Sequence, residues 1–527
     1  MQKIAVSILS IALLFALKSK GQVAFQPYSF QFYQKLNKEV YAPSTNFHTA
    51  VKPYILPEEG TIRAHYDSLM SPDKNDTSTR VLHQVFFNGH LWSEKNKDYT
   101  VYFDFLPDFQ LGKQSNPNEK LWLNTRGVQF GGTVGKDFFF YSTLFENQGR
   151  LPDYENNYIQ GVGMVPGQAY DRSVPKSDWA YVTGIIGYKF NKNTNLSFGE
   201  DKLFIGDGYR SVLLSDFSAP APLLRLSFNL AKNIQYTAVW AYLQDQREKQ
   251  FYVYGNNRRK WAAFHYIDWN ITKRASLGFF NALITEEAND SANLHGFDFN
   301  YINPLLFSAG IQPMGTPTDH TLLGLNAKYK ILNKTTVYGQ LLFDEAEGKS
   351  LSSKQAVQIG LRGSDLFTLP RLNYLLEYNT AKPYTYANSL PINSYTQFRE
   401  PLAHPFGANF KEYIAMINYS IKRFDFQVEV IDAKYGVDNM GLNYGKNIVK
   451  SENAALPTNI EMSTGQGLAT TLKYAEGTIA YLLNPKYNLR LELTGLLRHE
   501  SNALSENKTT VISFGLKGSF RNLYHDF

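Results

Sequence analysis

The stretch Glu412-Tyr413-Ile414-Ala415-Met416-Ile417-Asn418-Tyr419-Ser420-Ile421-Lys422-Arg423-Phe424-Asp425-Phe426-Gln427-Val428-Glu429-Val430-Ile431 holds two alternating runs joined by two basic residues. In an extended chain Phe424, Phe426, Val428 and Val430 fall on one face and Asp425, Gln427 and Glu429 on the other. Upstream, Tyr413, Ala415, Ile417 and Tyr419 alternate with Met416, Asn418 and Ser420. The spacing predicts a hairpin of Glu412–Ile421 and Phe424–Ile431. The same period of two recurs at Leu489, Leu491 and Leu493 against Arg490, Glu492 and Thr494. It recurs again at Leu372, Tyr374, Leu376 and Tyr378 against Arg371, Asn373 and Glu377.

Alternation alone fits a soluble sandwich as well as a membrane barrel, because either can present one polar face. Three further features favour the barrel. The strands are long, as in the hairpin Leu121–Gly131/Phe138–Phe145. Short links such as Lys422-Arg423 and Asn484-Pro485-Lys486 alternate with long polar ones, the pattern of tight periplasmic turns and longer outer loops. Finally, an alternating strand at Val511–Phe520 is followed by Arg521-Asn522-Leu523-Tyr524-His525-Asp526-Phe527, and a Phe in that place resembles the signal read by the barrel-assembly machinery.

Composition agrees. Tyr (35) and Phe (37) dominate an aromatic share of 15%, and after the first residues no apolar run is long enough for a membrane helix. Lys3 precedes a mostly apolar run, Ile4–Leu17, and then Lys18-Ser19-Lys20-Gly21-Gln22, which predicts a secretory signal over 1–21 cleaved before Gln22. Removing Lys3, Lys18 and Lys20 leaves 50 basic against 47 acidic side chains, too even a balance for a nucleic-acid partner. With no cysteine there is neither a disulfide nor an acylated N-terminal Cys, so membrane attachment falls to the fold and its contact with outer-membrane lipid.

Residues 22–80 read as a periplasmic or plug-like preface. Phe32, Tyr33, Leu36 and Val40 have helical spacing within Tyr28–Val40, Pro43, Pro53 and Pro57 interrupt it, and a further helical turn is expected near Ile62–Leu69. From Val81 the period of two takes over, giving an all-β transmembrane antiparallel barrel over 81–527. At about 10 residues per strand plus connections, it holds roughly 16–18 strands.

Three segments depart from the alternation. Gly199–Asp216 is rich in Gly and charge, and its Asp201, Asp207, Arg210 and Asp216 can either form an internal ion-pair lattice or, with Tyr209, offer hydrogen bonds to a sugar. Glu377–Tyr386 and Pro401–Phe410 place Tyr384, Tyr386 and His404 near Arg399. Flat rings with polar rims suit carbohydrate, and an interfacial aromatic belt or a Pro-rich loop is the structural alternative. No spacing of Ser211, Ser215, His404 and Asp216 singles out a catalytic triad, the ten His form no metal-ligating pattern, and no phosphate-cradling loop occurs. An enzyme, a metal and a cofactor are therefore not expected.

The run Gly206-Asp207-Gly208-Tyr209-Arg210-Ser211-Val212-Leu213-Leu214-Ser215-Asp216 with Pro220 and Pro222, together with Tyr384-Thr385-Tyr386 and Pro401-Leu402-Ala403-His404-Pro405-Phe406-Gly407, resembles the capsule-assembly Wzi family. Within that family it is most similar to the Bacteroidetes branch linked to gliding motility, RemB. The resemblance implies an outer-membrane barrel with an N-terminal helical part that binds surface polysaccharide and organises capsule, with a part in gliding for the RemB-like branch. Much of the loop sequence departs from the enterobacterial pattern, so the glycan does not carry over. A passive porin is the alternative function.

Overall fold

The computed structural model describes residues 24–527 except 72–77, 79, 116, 172, 246–257, 289–293, 295, 304–318, 346–353 and 459–462; the expected signal over 1–21 lies outside the described residues. Eighteen antiparallel strands close into one barrel. They are β1 (Tyr99–Ser115), β2 (Glu119–Val134), β3 (Phe138–Arg150), β4 (Ser177–Asn191), β5 (Thr194–Asp201), β6 (Ala221–Ala231), β7 (Ile234–Asp245), β8 (Arg258–Trp269) and β9 (Ala275–Glu286). The second half comprises β10 (His320–Tyr329), β11 (Thr335–Glu345), β12 (Gln355–Gly363), β13 (Leu372–Ala381), β14 (Phe410–Ile421), β15 (Phe424–Val437), β16 (Leu468–Asn484), β17 (Leu489–Ser501) and β18 (Glu506–Gly518). β18 returns to β1 with Val511 opposite Gln114. Below that seam the short strand Trp92–Lys95 pairs with the lower part of β1 that β18 does not reach.

The direction of the alternation settles sandwich against barrel. On β15 Val428 is 52% exposed and Val430 47%, whereas the intervening Glu429 is 3% exposed. Leu376 against Glu377 on β13, and Leu491 and Leu493 against Glu492 on β17, repeat the inversion. Water would strongly disfavour this surface; hydrocarbon favours it, because each backbone N–H and C=O is satisfied by a neighbouring strand and only apolar side chains face lipid. Among the described residues no helix is long and apolar enough to cross a membrane, so the strands are the membrane-crossing elements.

The longest strand links lie together at one end of the barrel. One end carries turns such as 192–193, 232–233 and 422–423; the other carries 151–176, 202–220, 382–409 and 438–467. The long connections belong outside the cell and the short turns to the periplasm.

The preface enters the barrel from the short-turn end as α1 (Phe30–Gln34), α2 (Asn37–Val40) and α3 (Thr61–Leu69). Ser29 caps α1 through the Phe32 N–H, and the expected apolar stripe Phe32, Tyr33, Leu36 and Val40 is buried in one cluster with residues of the barrel interior. Lys35 pairs with Asp425 at 2.7 Å and Lys330 donates to the Ala42 carbonyl at 2.9 Å, tying the helices to the turns.

Two sequence expectations need correction. Val81, read as the start of the alternation, opens a helix, α4 (Val81–Phe87), and the first full strand begins at Tyr99. Val81, Leu82, Val85 and Phe86 also fit helical spacing, and so short a window does not separate the periods. The last strand, read as running to Phe520, leaves the wall after Gly518, and residues 519–527 turn back into the lumen.

Candidate functional site

The inward fold of 202–220 builds the centre of the lumen. Tyr209 and Arg210 donate their backbone N–H groups to the Glu377 carboxylate of β13, at 2.9 and 3.0 Å. A Cβ on Gly208 would strike that same carboxylate, so glycine is required for the approach. The Arg210 guanidinium is 1% exposed and lies 3.2 Å from Glu412 of β14 and 2.9 Å from Asp526 of the inward-turned tail. Tyr209 donates its hydroxyl to Asp526 at 2.8 Å. Strand, loop and tail thus meet on one cation, an arrangement in which each buried charge has a partner.

Asp207 joins this lattice to the N-terminal plug. Tyr41 donates to it at 2.9 Å, Thr49 hydrogen-bonds to the same oxygen, and Lys328 of β10 lies 3.5 Å away. Burial alone pushes the Asp207 carboxyl up, but Lys328 and Lys52 with the Thr49 and Asn326 hydrogen bonds outweigh it and hold the group well below the usual carboxylate range. Lys52, donating to the Gly206 carbonyl, is lowered by burial to about 7. Arg362 of β12 donates to the Asp207 carbonyl and to Asn37 of α2, closing the same knot from the wall.

Asp216 accepts hydrogen bonds from Tyr524 at 2.6 Å and Asn522 at 3.1 Å, so both ends of the 207–216 segment are bound. Phe527 is buried against Tyr158 and Phe217, with ring centroids 4.8 and 5.8 Å apart. The residue read as an assembly signal therefore closes the interior of the folded molecule. Nearby, Glu400 accepts from the Gly167 and Ala219 N–H groups at 2.8 and 2.9 Å and from Tyr158, joining three outer connections. Burial raises its carboxyl to about 7.

The other sequence-selected residues line the same plug. Tyr386 donates to the Val212 carbonyl at 2.7 Å and Tyr384 to the Asn443 carbonyl at 2.6 Å; both are buried and belong to neither an exposed platform nor an interfacial belt. The left-handed backbone of Tyr384 (φ +65°) and Tyr386 (φ +72°) reflects the tight inward bend of the loop. His404 accepts the Phe406 N–H on Nδ1, which leaves Nε2 to donate to Glu412 at 2.6 Å. Burial lowers the basicity of the ring although Glu412 opposes it. Arg399 is half-buried in the turn before Glu400, and Asp201 is half-buried at the end of β5.

Asp207, Tyr209, Arg210, Asp216, Tyr384, Tyr386 and His404 are thus buried struts, and a polymer outside the barrel does not reach them in this arrangement. The decisive partners that sequence reasoning left out are Glu377 and Glu412, with Asp526 of the tail. The first two carried a readable sign: each is an acid on the polar face of a long alternating strand. Asp526 carried none, because its ending reads only as an assembly signal.

The lumen retains a polar cavity of about 160 Å³ between the tail and β15–β18, bordered by Glu429, Glu476 and Asp526. A cavity of about 820 Å³ opens at the short-turn mouth against Phe32 and Leu69 of the plug. Among the described residues no group of three or more His, Asp or Glu is placed to hold a metal ion.

No known protein family and no curated protein matches the sequence. Among solved structures, the chain is similar to Wzi of Escherichia coli, described as an outer-membrane, carbohydrate-binding β-barrel involved in group 1 capsule assembly; identity is 12%, coverage 95% of this chain and 100% of that one, and the TM-score 0.55. OprD of Pseudomonas aeruginosa aligns at 13% identity over 79% of this chain and 94% of its own, with a TM-score of 0.43. The chain shares with the first of these the fold of a large outer-membrane barrel.

Proposed function

We propose that this protein is a plugged outer-membrane barrel that holds surface polysaccharide at its extracellular end and so serves capsule assembly, with a contribution to gliding of the RemB type. The observation that carries this reading is the solid lumen. The residues 202–220, 382–409 and 519–527 and the N-terminal helices meet around buried Arg210, Tyr386 and Tyr395, a filling suited to a rigid platform and unsuited to solute flow. The fold likeness to Wzi supports the carbohydrate reading, and the sequence resemblance described above supports the capsule and gliding roles. The described part of the 22–80 preface acts here as the inner plug, after removal of the 1–21 signal.

The working surface is then the set of outer connections. Tyr170 and Met440 are exposed there, and Lys450 pairs with Asp438 at 2.6 Å. Such groups stack on sugar rings and bond hydroxyls weakly, and repetition along a polymer supplies avidity. Purified protein in detergent, passed over immobilised polysaccharide from the parent cells, should be retained, and the variant Tyr170→Ser/Met440→Ser/Lys450→Gln should be retained at least tenfold less. Equal retention of both, or none of either, would refute this placement.

The alternative, a passive pore, is favoured by the wide inner mouth of about 820 Å³. Planar-bilayer recordings of the full chain distinguish the two: a platform is silent, whereas a pore gives stable open conductance.

A further inference from the structure

The lipid-facing side of the wall carries a row of basic groups that the polysaccharide reading does not use. Directly opposed residues of antiparallel strands share a face, so the register fixes which side chains stand together. Lys411 of β14 is opposite Lys434 of β15, both exposed. Lys434 is opposite Thr471 of β16, and exposed Lys473 lies two positions farther along the same face. Lys473 is opposite His499 of β17, which is opposite Lys508 of β18. Across the seam, exposed Lys113 of β1 is opposite exposed Lys120 of β2. Seven consecutive strands therefore each place a basic residue outward.

These residues sit at one height. From β14 to β2 the row drifts toward the short-turn end by two positions at β16 and by four at the seam, where Ile512 rather than Lys508 opposes Lys113. About one residue per strand is what strand tilt requires of a level line around a barrel. The apolar belt begins directly beneath, with exposed Tyr413, Val430, Leu497, Ile512 and Leu111 on the same outward face. Lys411 lies 11 positions before Lys422 in the inner turn. At the rise of a tilted strand that is roughly 28 Å, slightly more than the apolar band of a barrel, so the row lies at the outer headgroup level. The acids on this face are Glu506, paired with Lys508 at 2.7 Å and His499 at 2.9 Å, and Asp432, opposite Lys473. Six lysines against two acids leave a positive band along this side of the wall.

We propose that this band is a lateral binding surface for the phosphorylated saccharide headgroup of an outer-leaflet glycolipid. Phosphates at headgroup height are the anions that a row of ammonium groups above an apolar wall meets, while the acyl chains lie against the belt below. The surface fixes the barrel among the glycolipids over which surface polysaccharide is laid, and it does so whether or not the outer loops hold that polysaccharide.

The test uses the full chain folded in dodecylmaltoside micelles, titrated with bis-phosphorylated lipid A and with the same lipid dephosphorylated, bound lipid being counted by native mass spectrometry. The wild type should bind the phosphorylated form at least tenfold more tightly. The variant Lys411→Gln/Lys434→Gln/Lys473→Gln/Lys508→Gln should lose that preference, and Lys97→Gln/Lys192→Gln/Lys232→Gln/Lys273→Gln, which removes four charges at the opposite end, should keep it within twofold. If the first variant does not fold, Lys434→Gln/Lys473→Gln at the centre of the row should weaken binding at least threefold, and the phosphate comparison needs no variant. No preference in the wild type, wild-type binding by the outer variants, or equal loss in the inner variant would overturn the proposal.

Discussion

Arg210 holds two carboxylates, Glu412 and Asp526, and all three side chains are almost wholly buried. Arg210→Ala leaves both buried without their cation, a change that costs roughly 3–5 kcal/mol. Its expected outcome is a lower yield of folded barrel and a lower temperature for the heat-modifiable gel shift, whereas exposed Met440→Ala in an outer connection leaves both unchanged. Glu400 makes a pH prediction. Its folded value of about 7 lies above the ordinary 4.5, so the folded state binds the extra proton between those values, and the group's stabilising contribution is complete below about 4.5 and lost as pH rises through about 7. The difference amounts to roughly 3 kcal/mol. The gel-shift temperature of the wild type should fall between pH 5 and 8, and that of Glu400→Gln should stay nearly flat; parallel curves would show that another group titrates. Sequence alone brought out Asp207, Arg210 and Asp216 as a candidate charge lattice, because charges beside glycines interrupt an alternating pattern. It could not show which partners they choose, since Glu377, Glu412 and Asp526 lie far away along the chain.

Elements differ in how much of them the pattern reveals. The hairpin of β14 and β15 was legible to the residue at its inner end, because Lys422-Arg423 breaks two clean alternations, whereas its strands start at Phe410 and end at Val437, beyond the expected Glu412 and Ile431. The N-terminal stripe Phe32, Tyr33, Leu36 and Val40 was legible as an apolar helical face, although Lys35 and Leu36 divide it into α1 and α2. The inward course of residues 519–527 was not legible, because an ending read as an assembly signal does not state where it lies in the folded barrel, whereas Phe520, Tyr524 and Phe527 bury against Phe32, Phe217 and Tyr158 inside the lumen. Truncation after Gly518 therefore has a specific expected result. It removes Asp526 from Arg210 and Asn522 and Tyr524 from Asp216, and it merges the tail's volume with the adjoining cavity of about 160 Å³. In planar bilayers the truncated barrel should show frequent current spikes where the full chain is silent. A silent, fully folded truncation would mean that the loops and helices seal the lumen without the tail.

At the scale of the molecule, the outward apolar and inward polar faces make an outer-membrane barrel, and its filled lumen turns the question of function toward the ends and the lipid wall. The barrel class was legible because the period of two recurs along the chain and the links alternate in length. Closure at eighteen strands was bounded by chain length alone, since register and shear leave no mark in composition. A plug was expected only as one of two placements of the irregular preface, and nothing in the composition of 202–220 states which way that segment folds. In the proposed function carbohydrate is held at the exposed outer connections above the buried lattice, which makes the polysaccharide itself the most direct readout. The deciding measurement is the partition of surface polysaccharide between cells and medium in a strain lacking this protein, complemented either by the wild type or by the loop variant Tyr170→Ser/Met440→Ser/Lys450→Gln. The account predicts that polysaccharide shifts into the medium in the deletion strain, returns to the cells with the wild type and stays released with the loop variant at normal levels of folded barrel. Unchanged cell-bound polysaccharide in the deletion strain would contradict it.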